Sequence, residues 1–201
     1  MLAAVIVPML AVGTASLEVE HGFALATPLS IARTAPNGIE TFRLVVSPEG
    51  DVVSCVATVA GRGLVSDEPN CRKLRKLKAR PATDAKGTAV YSVVHFYVTW
   101  TIFGRTAPKR MLPVAPAADF ALPLKRLPAG VSDNSRSLAT VLTSAEGLVE
   151  SCAITKTSGS EPLDTAVCRA VAAEGVTPIE DAAGKGVRGV QTLSVSFTVA
   201  P

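Results

Sequence analysis

Apolar and polar positions fall into the same succession of patterns twice along this chain. Thr41–Val59 reads TFRLVVSPEGDVVSCVATV, two β-rich runs around Ser47-Pro48-Glu49-Gly50. Pro and Gly are turn chemistry there, so the segment predicts a hairpin. Residues 138–155, LATVLTSAEGLVESCAIT, repeat the pattern with the same Glu-Gly turn. Each hairpin is followed by a helical signal. In Asp67–Arg80, Cys71, Leu74 and Leu77 recur on one helical face; in Leu163–Gly175, Cys168, Val171 and Ala172 do so. Asp67 and Asp164 are expected as N-caps, and Pro81 and Pro178 as the stops. Each copy closes on a long strand. Val90, Val94, Phe96, Val98, Trp100 and Ile102 share one face of the first; Val187, Leu193, Val195, Phe197 and Val199 share the equivalent face of the second. A slip of one residue would turn either set to solvent, so the shared parity supports both strands.

The recurrence is an internal duplication at an offset of 97 residues. Cys55 and Cys71 fall on Cys152 and Cys168, and Ser47, Glu49 and Gly50 on Ser144, Glu146 and Gly147. Arg72, Pro81, Asp84 and Gly87 fall on Arg169, Pro178, Asp181 and Gly184. From Ser47 to Ile102 no gap is needed, and about a third of the positions are identical. The triplet Phe23–Leu25 recurs at Phe120–Leu122. The predicted fold class is α+β, with two tandem β-β-α-β domains at residues 22–103 and 119–201. Each is a small antiparallel sheet with one helix on a face. GRTAPKRMLPVAPAA, residues 104–118, is a Pro-containing linker of extended character.

The first sixteen residues, MLAAVIVPMLAVGTAS, change the picture of localisation. Leu2–Val12 is too short to cross a bilayer as a helix, but it has the length of a signal-peptide core followed by small residues. Residues 1–16 are therefore read as a signal peptide or short anchor, with a buried N-terminal strand as the alternative and no Lys or Arg ahead of the apolar run. Export makes the cysteines candidates for two bonds, Cys55–Cys71 and Cys152–Cys168, each stapling a helix to its sheet. Free buried thiols, or a redox or metal role, are the other readings, although the chain has no C-x-x-C and only two histidines.

SPEGDVVSC, CRKLRKLKARPATDAKG, EGLVESCAITKTSGSEPLD and the closing apolar strands resemble the carboxy-terminal domain of TonB-type proteins, in a cysteine-bearing form similar to that of alphaproteobacterial periplasmic proteins. The resemblance covers both repeats. It implies a non-enzymatic periplasmic module that binds other envelope proteins, outer-membrane receptors among them, by strand addition at a sheet edge. The implied edges are the closing strands, with Val94, Phe96, Val98, Trp100, Leu193, Val195 and Phe197 as contact residues. The family's energy transducers also carry an inner-membrane helix and a long Pro-rich spacer, which this sequence lacks. An envelope structural protein touching peptidoglycan is the alternative function. Inner-membrane association through the amino terminus and a homodimer are both allowed.

Charge and side-chain chemistry narrow the choice further. Net charge is +3. Arg72, Lys73, Arg75, Lys76, Lys78 and Arg80 would crowd into one short helix, either as a solvated face or as a docking patch for anionic lipid, a polyanion or an acidic partner. No aromatic residues are interleaved with them, which argues against nucleic acid. His95 falls on Thr192 at the offset and so is not a shared functional position, His21 has no partner in view, and Glu49 and Glu146 sit in turns. No catalytic, cofactor or metal motif is present, so no enzyme, cofactor or metal is expected.

Overall fold

The computed structural model describes residues 12–17, 37–59, 68–101, 118–128, 131–132 and 135–199, with only the backbone described at 17, 37–40, 58–59, 68–69 and 96–101. The predicted linker, apart from residue 118, and residues 1–11 lie outside this set. β1 (Ser16–Leu17) precedes a hairpin of β2 (Asn37–Val46) and β3 (Val52–Val59). The first helix, α1 (Glu68–Leu74), leads to β4 (Ala79–Arg80), β5 (Ala82–Thr83) and the long β6 (Ala89–Thr101). The second copy begins with β7 (Phe120–Leu124) and continues with the hairpin β8 (Arg136–Thr143) and β9 (Val149–Lys156). After α2 (Glu161–Glu174) come β10 (Ile179–Glu180), β11 (Gly186–Val187) and β12 (Gly189–Val199). The class is α+β.

The duplication is legible down to single hydrogen bonds. The Ser47 hydroxyl accepts the amides of Glu49 and Asp51, and the Ser144 hydroxyl those of Glu146 and Leu148. Asp84 accepts from the Lys86 and Thr88 amides; Asp181 does the same at Ala183 and Lys185. The pairs Ala82–Val90 and Thr83–Ala89 recur at Ile179–Val187 and Glu180–Gly186. Both disulfides form within a copy. Cys55–Cys71 and Cys152–Cys168 have Cα separations of 5.6 and 5.7 Å, and no cysteine is left free.

The halves do not stand as separate sheets. The strand order is β3-β2-β6-β12-β8-β9, a palindrome in which each closing strand lies at the centre. β6 and β12 meet in a short parallel ladder, Tyr91 with Gly189 and Ser92 with Val190. A Cβ on Gly189 would stand 2.4 Å from the Tyr91 carbonyl oxygen, so only glycine allows this approach. Reversed order with parallel central strands places the two helices on opposite faces. Phe42, Leu44, Val46, Cys71 and Leu74 form the core under α1, with Val94 packed against it. Val141, Leu163, Val167, Val171, Leu193, Val195 and Phe197 form the core under α2. Leu142, next to Val141, points the other way and joins Val190, Val90 and Ala82 in a third cluster on the α1 face.

Three details differ from the sequence expectation. α1 ends at Leu74, so of the six basic residues only Arg72 and Lys73 are helical. Arg75 and Lys76 form a turn, Lys78 bridges Asp51, and Arg80 is in β4. The reason is tertiary. The Ala79 amide bonds the Gly50 carbonyl, and Ala79 is buried in the first core. This crossing over the hairpin turn outweighs another helical turn of like charges. The second copy crosses in the same way, Val176 amide to Gly147 carbonyl. Gly50 and Gly147 have φ of 83° and 85°, and a Cβ on either would meet a backbone oxygen within 2.3 Å. Pro81 and Pro178 lie beyond the helix ends and stop neither; Gly175 caps α2.

Asp164 is not an N-cap: Ser160 holds that position without a side-chain cap bond. Asp164 sits in the first turn and accepts from the Ser158 amide at 2.9 Å and the Ser137 hydroxyl at 2.7 Å, and also from the Thr157 hydroxyl. Burial opposes its ionisation, but these donors hold the carboxyl below the ordinary carboxylate value. Ser137 is fully buried. Asp164→Ala therefore leaves a buried hydroxyl without its acceptor and is expected to cost about 2 kcal/mol in chemical denaturation. The stabilisation by Asp164 is complete above its unfolded pKa of about 3.9 and disappears as pH falls through the lower folded value. The variant and parent should thus converge at acid pH. Asp67 lies outside the described residues.

The described residues nearest the amino terminus pack against the body. Val12 and Ala15 pack against the third cluster, Gly13 bridges Thr83, and Ser16–Leu17 pair with Arg80–Ala79. Of the small residues at the expected cleavage site, Gly13 forms an isolated bridge and Ser16 lies in β1. Among the described residues no helix is long and apolar enough to cross a membrane.

Candidate partner-binding slot

β12 is not an edge. β8 pairs one side, and β7 lies parallel along the other from Phe120–Val195 to Leu124–Val199. Leu193, Val195 and Phe197 are buried under α2 as core residues. Val94 likewise turns into the first core. Phe96, Val98 and Trp100 lie in β6 opposite Phe42, Glu40 and Gly38, and their side chains are outside the described set. The expected contact set therefore divides: its described side chains are core residues, and what β6 presents laterally is backbone.

That backbone is the opening. β5 covers β6 at Ala89 and Val90, and β12 covers it at Tyr91 and Ser92. From Val93 to Thr101, among the described residues, β6 is paired on one side only, to β2. β12 diverges from it here and takes up β7 instead. Asp119 closes the β12 side: its amide bonds the Ser194 carbonyl at 2.8 Å, and its carboxylate accepts the Ser194 amide at 2.7 Å. Among the described residues the result is a slot between two strands, with a cleft on each face of the sheet. A cleft of about 650 Å³ lies on the α2 face and one of about 400 Å³ on the α1 face. His95, Asp119, Thr192 and Ser194 line both.

The chemistry of the slot is polar. Thr140 joins hydroxyls with Thr192 at 3.1 Å and Thr155 at 3.4 Å. The Ser92 hydroxyl, almost fully buried at the closed end, has no partner among the described residues. Buried polar atoms are normally satisfied, so a lone hydroxyl beside a slot is a place for an incoming polar group. His95 is half-buried and lies directly opposite Arg43. Burial and the Arg43 charge push its pKa below the ordinary value, against an opposing pull from Asp119. The histidine is neutral at pH 7. Below about pH 6.5 the unfolded chain binds a proton that the folded chain resists, so the fold loses stability on acidification. His95→Gln should flatten this part of a stability profile measured between pH 7 and 5. Its repeat counterpart, Thr192, faces the same slot from β12.

Across the seam, Arg188 reaches Asp84 of the first copy at 3.2 Å and Glu150 at 2.8 Å. The Thr88 amide, the Lys86 amide and Arg188 hold Asp84 below the usual carboxylate range, outweighing the opposing effect of burial. Glu146 is also held low, chiefly by the Ser144 hydroxyl at 2.8 Å, and does no more than tighten its turn. Among the described residues no cluster of His, Cys, Asp or Glu is built to hold a metal. No protein-family profile, curated protein or solved structure matches the chain.

Proposed function

We propose that the protein is a non-enzymatic binding module of the cell envelope that takes an extended segment of another protein against β6. The carrying observation is that, among the described residues, β6 pairs only with β2 from Val93 to Thr101, beside the slot. Strand addition supplies affinity through main-chain bonds, and the flanking clefts supply selectivity. The second copy gives the geometry that such an edge accepts. There the equivalent edge is filled by β7, an extended segment lying parallel to the closing strand over five residues. Two disulfides suit an oxidising compartment. The resemblance to TonB carboxy-terminal domains makes outer-membrane receptors the first partners to try.

The experiment is a fluorescence titration of the full chain with labelled extended peptides taken from such receptors. A binding peptide is then resynthesised with single N-methyl groups. Strand addition predicts that methylation at alternate residues weakens binding about fivefold each, one hydrogen bond at a time, while the intervening positions tolerate it. Uniform tolerance, or no binding by any extended peptide, rejects the reading.

A further inference from the structure

The two clefts beside the slot differ in chemistry, and the fold does not require the difference. The α2-face cleft is lined by the carboxylates of Asp119, Glu174 and Glu180 against one guanidinium, Arg43, with neutral His95 opposite it. Glu174 and Glu180 are exposed and make no ion pair among the described residues. Their counterparts at the 97-residue offset are Leu77 and Thr83, and that of Asp119 is Gly22, so the first copy does without all three carboxylates. The same cleft receives the end of α2: Glu174 is its last residue, and Gly175 and Val176 continue the lining. A helix C-terminus carries partial negative charge that a basic residue in the last turn can offset, and α2 has none there. Three carboxylates and a helix end outweigh one guanidinium, although the chain as a whole carries +3.

The second observation points to a ligand directly. On the α1 face the cleft is lined by hydroxyls, those of Thr14, Ser92, Thr140, Thr155, Thr192 and Ser194. Ser92 is only 1% exposed, and its hydroxyl has no hydrogen-bond partner among the described residues. Its neighbour in the parallel ladder, Val190, packs on the α1 face, so Ser92 turns to that face too. Folding leaves this hydroxyl unsatisfied, a deficit that an incoming polar side chain removes.

The two clefts share His95, Asp119, Thr192 and Ser194 and meet beside the singly paired stretch of β6. A strand laid there sends alternate side chains to the two faces. We propose that the segment taken by the slot is basic and hydroxylated by turns, with Lys or Arg toward α2 and Ser or Thr toward α1. This rests on the strand-addition reading and adds the partner's chemistry to it. An acidic segment would meet three carboxylates, and an apolar one would leave the Ser92 hydroxyl buried without a partner. The apolar alternation of β7 belongs further along, from Val195, where Phe120, Leu122 and Leu124 pack on the α2 core.

The test is fluorescence anisotropy of the full chain with labelled peptides of about ten residues, enough to span Val93–Thr101, in which Thr alternates with Lys, Gln or Glu. An alternating peptide finds the right face by a one-residue slip, so no register need be known. The Thr-Lys peptide is expected to bind about tenfold tighter than Thr-Gln at low salt and to lose most of that advantage as salt is raised, with Thr-Glu the weakest. Glu174→Gln with Glu180→Gln, at two exposed positions, should weaken Thr-Lys about fivefold and leave Thr-Gln unchanged. Ser92→Ala should weaken Thr-Lys about fivefold but not a peptide of Ala alternating with Lys, and should not lower the urea midpoint, because the fold leaves that hydroxyl unbonded. Equal binding of Thr-Lys and Thr-Gln, no effect of the carboxylate pair, or an equal effect of Ser92→Ala on the Thr and Ala peptides would overturn the inference while leaving strand addition in place. No binding by any of the peptides would overturn both.

Discussion

Replacing Cys55 and Cys71 together by alanine is expected to lower stability by about 3 kcal/mol, read as a shift of the urea midpoint. The bond closes a loop with a sequence separation of 16 and joins β3 to α1. α1 has only seven residues, too few to hold helical structure unaided. Both sulfurs are also core atoms, since Cys55 and Cys71 are buried with Leu44 and Leu74. The double variant therefore loses a cross-link and packing together, and the helix should detach before the sheet melts. Cys152→Ala with Cys168→Ala should cost less. The chain entropy is the same, but α2 runs fourteen residues and buries Leu163, Val167 and Val171 beside the bond. Equal losses would mean that the cross-link alone sets the effect and that helix anchorage contributes nothing.

Phe42→Ala is expected to cost 3–5 kcal/mol, roughly 10 °C in melting temperature for a chain of this size. Phe42 is fully buried at the middle of β2, between Ala57 of β3 and Phe96 of β6. It is the largest completely buried side chain in the described structure. The variant also reports on the seam. Because β6 and β12 share a ladder, and Arg188 ties Asp84 to Glu150, the melt should stay a single transition displaced to lower temperature. If only half of the unfolding signal moves, the copies melt independently.

The sequence carried what is local and what is repeated. Turn residues, strand parity and cysteine spacing each depend on neighbours within one copy, and a duplication displays each of them twice. The hairpins, the long closing strands and the disulfides follow from such signals. The seam does not. Nothing in β6 or β12 taken alone says that Tyr91 will lie beside Gly189; the one hint was a glycine inside a β-rich run, which often marks a close backbone approach. The same blindness made Leu193, Val195 and Phe197 look like an edge. β7 covers that edge, and the recurring Phe-Ala-Leu triplet was its only sign. α1 was read too long because helical spacing in CRKLRKLKAR is real, while the burial of Ala79 across Gly50 is a tertiary fact.

The arrangement of one shared sheet with a slot at its centre can be tested by a cross-link. Ser92 and Val190 are direct partners in the parallel ladder, and both point to the α1 face. Strand neighbours of this kind stand about 5 Å apart, within reach of a disulfide. The variant Ser92→Cys with Val190→Cys, oxidised in its folded state and alkylated after denaturation, should gain no mass from the reagent and show three intramolecular disulfides. Two alkylated thiols per chain, with Cys55–Cys71 and Cys152–Cys168 intact, would mean that the two copies do not meet along β6 and β12.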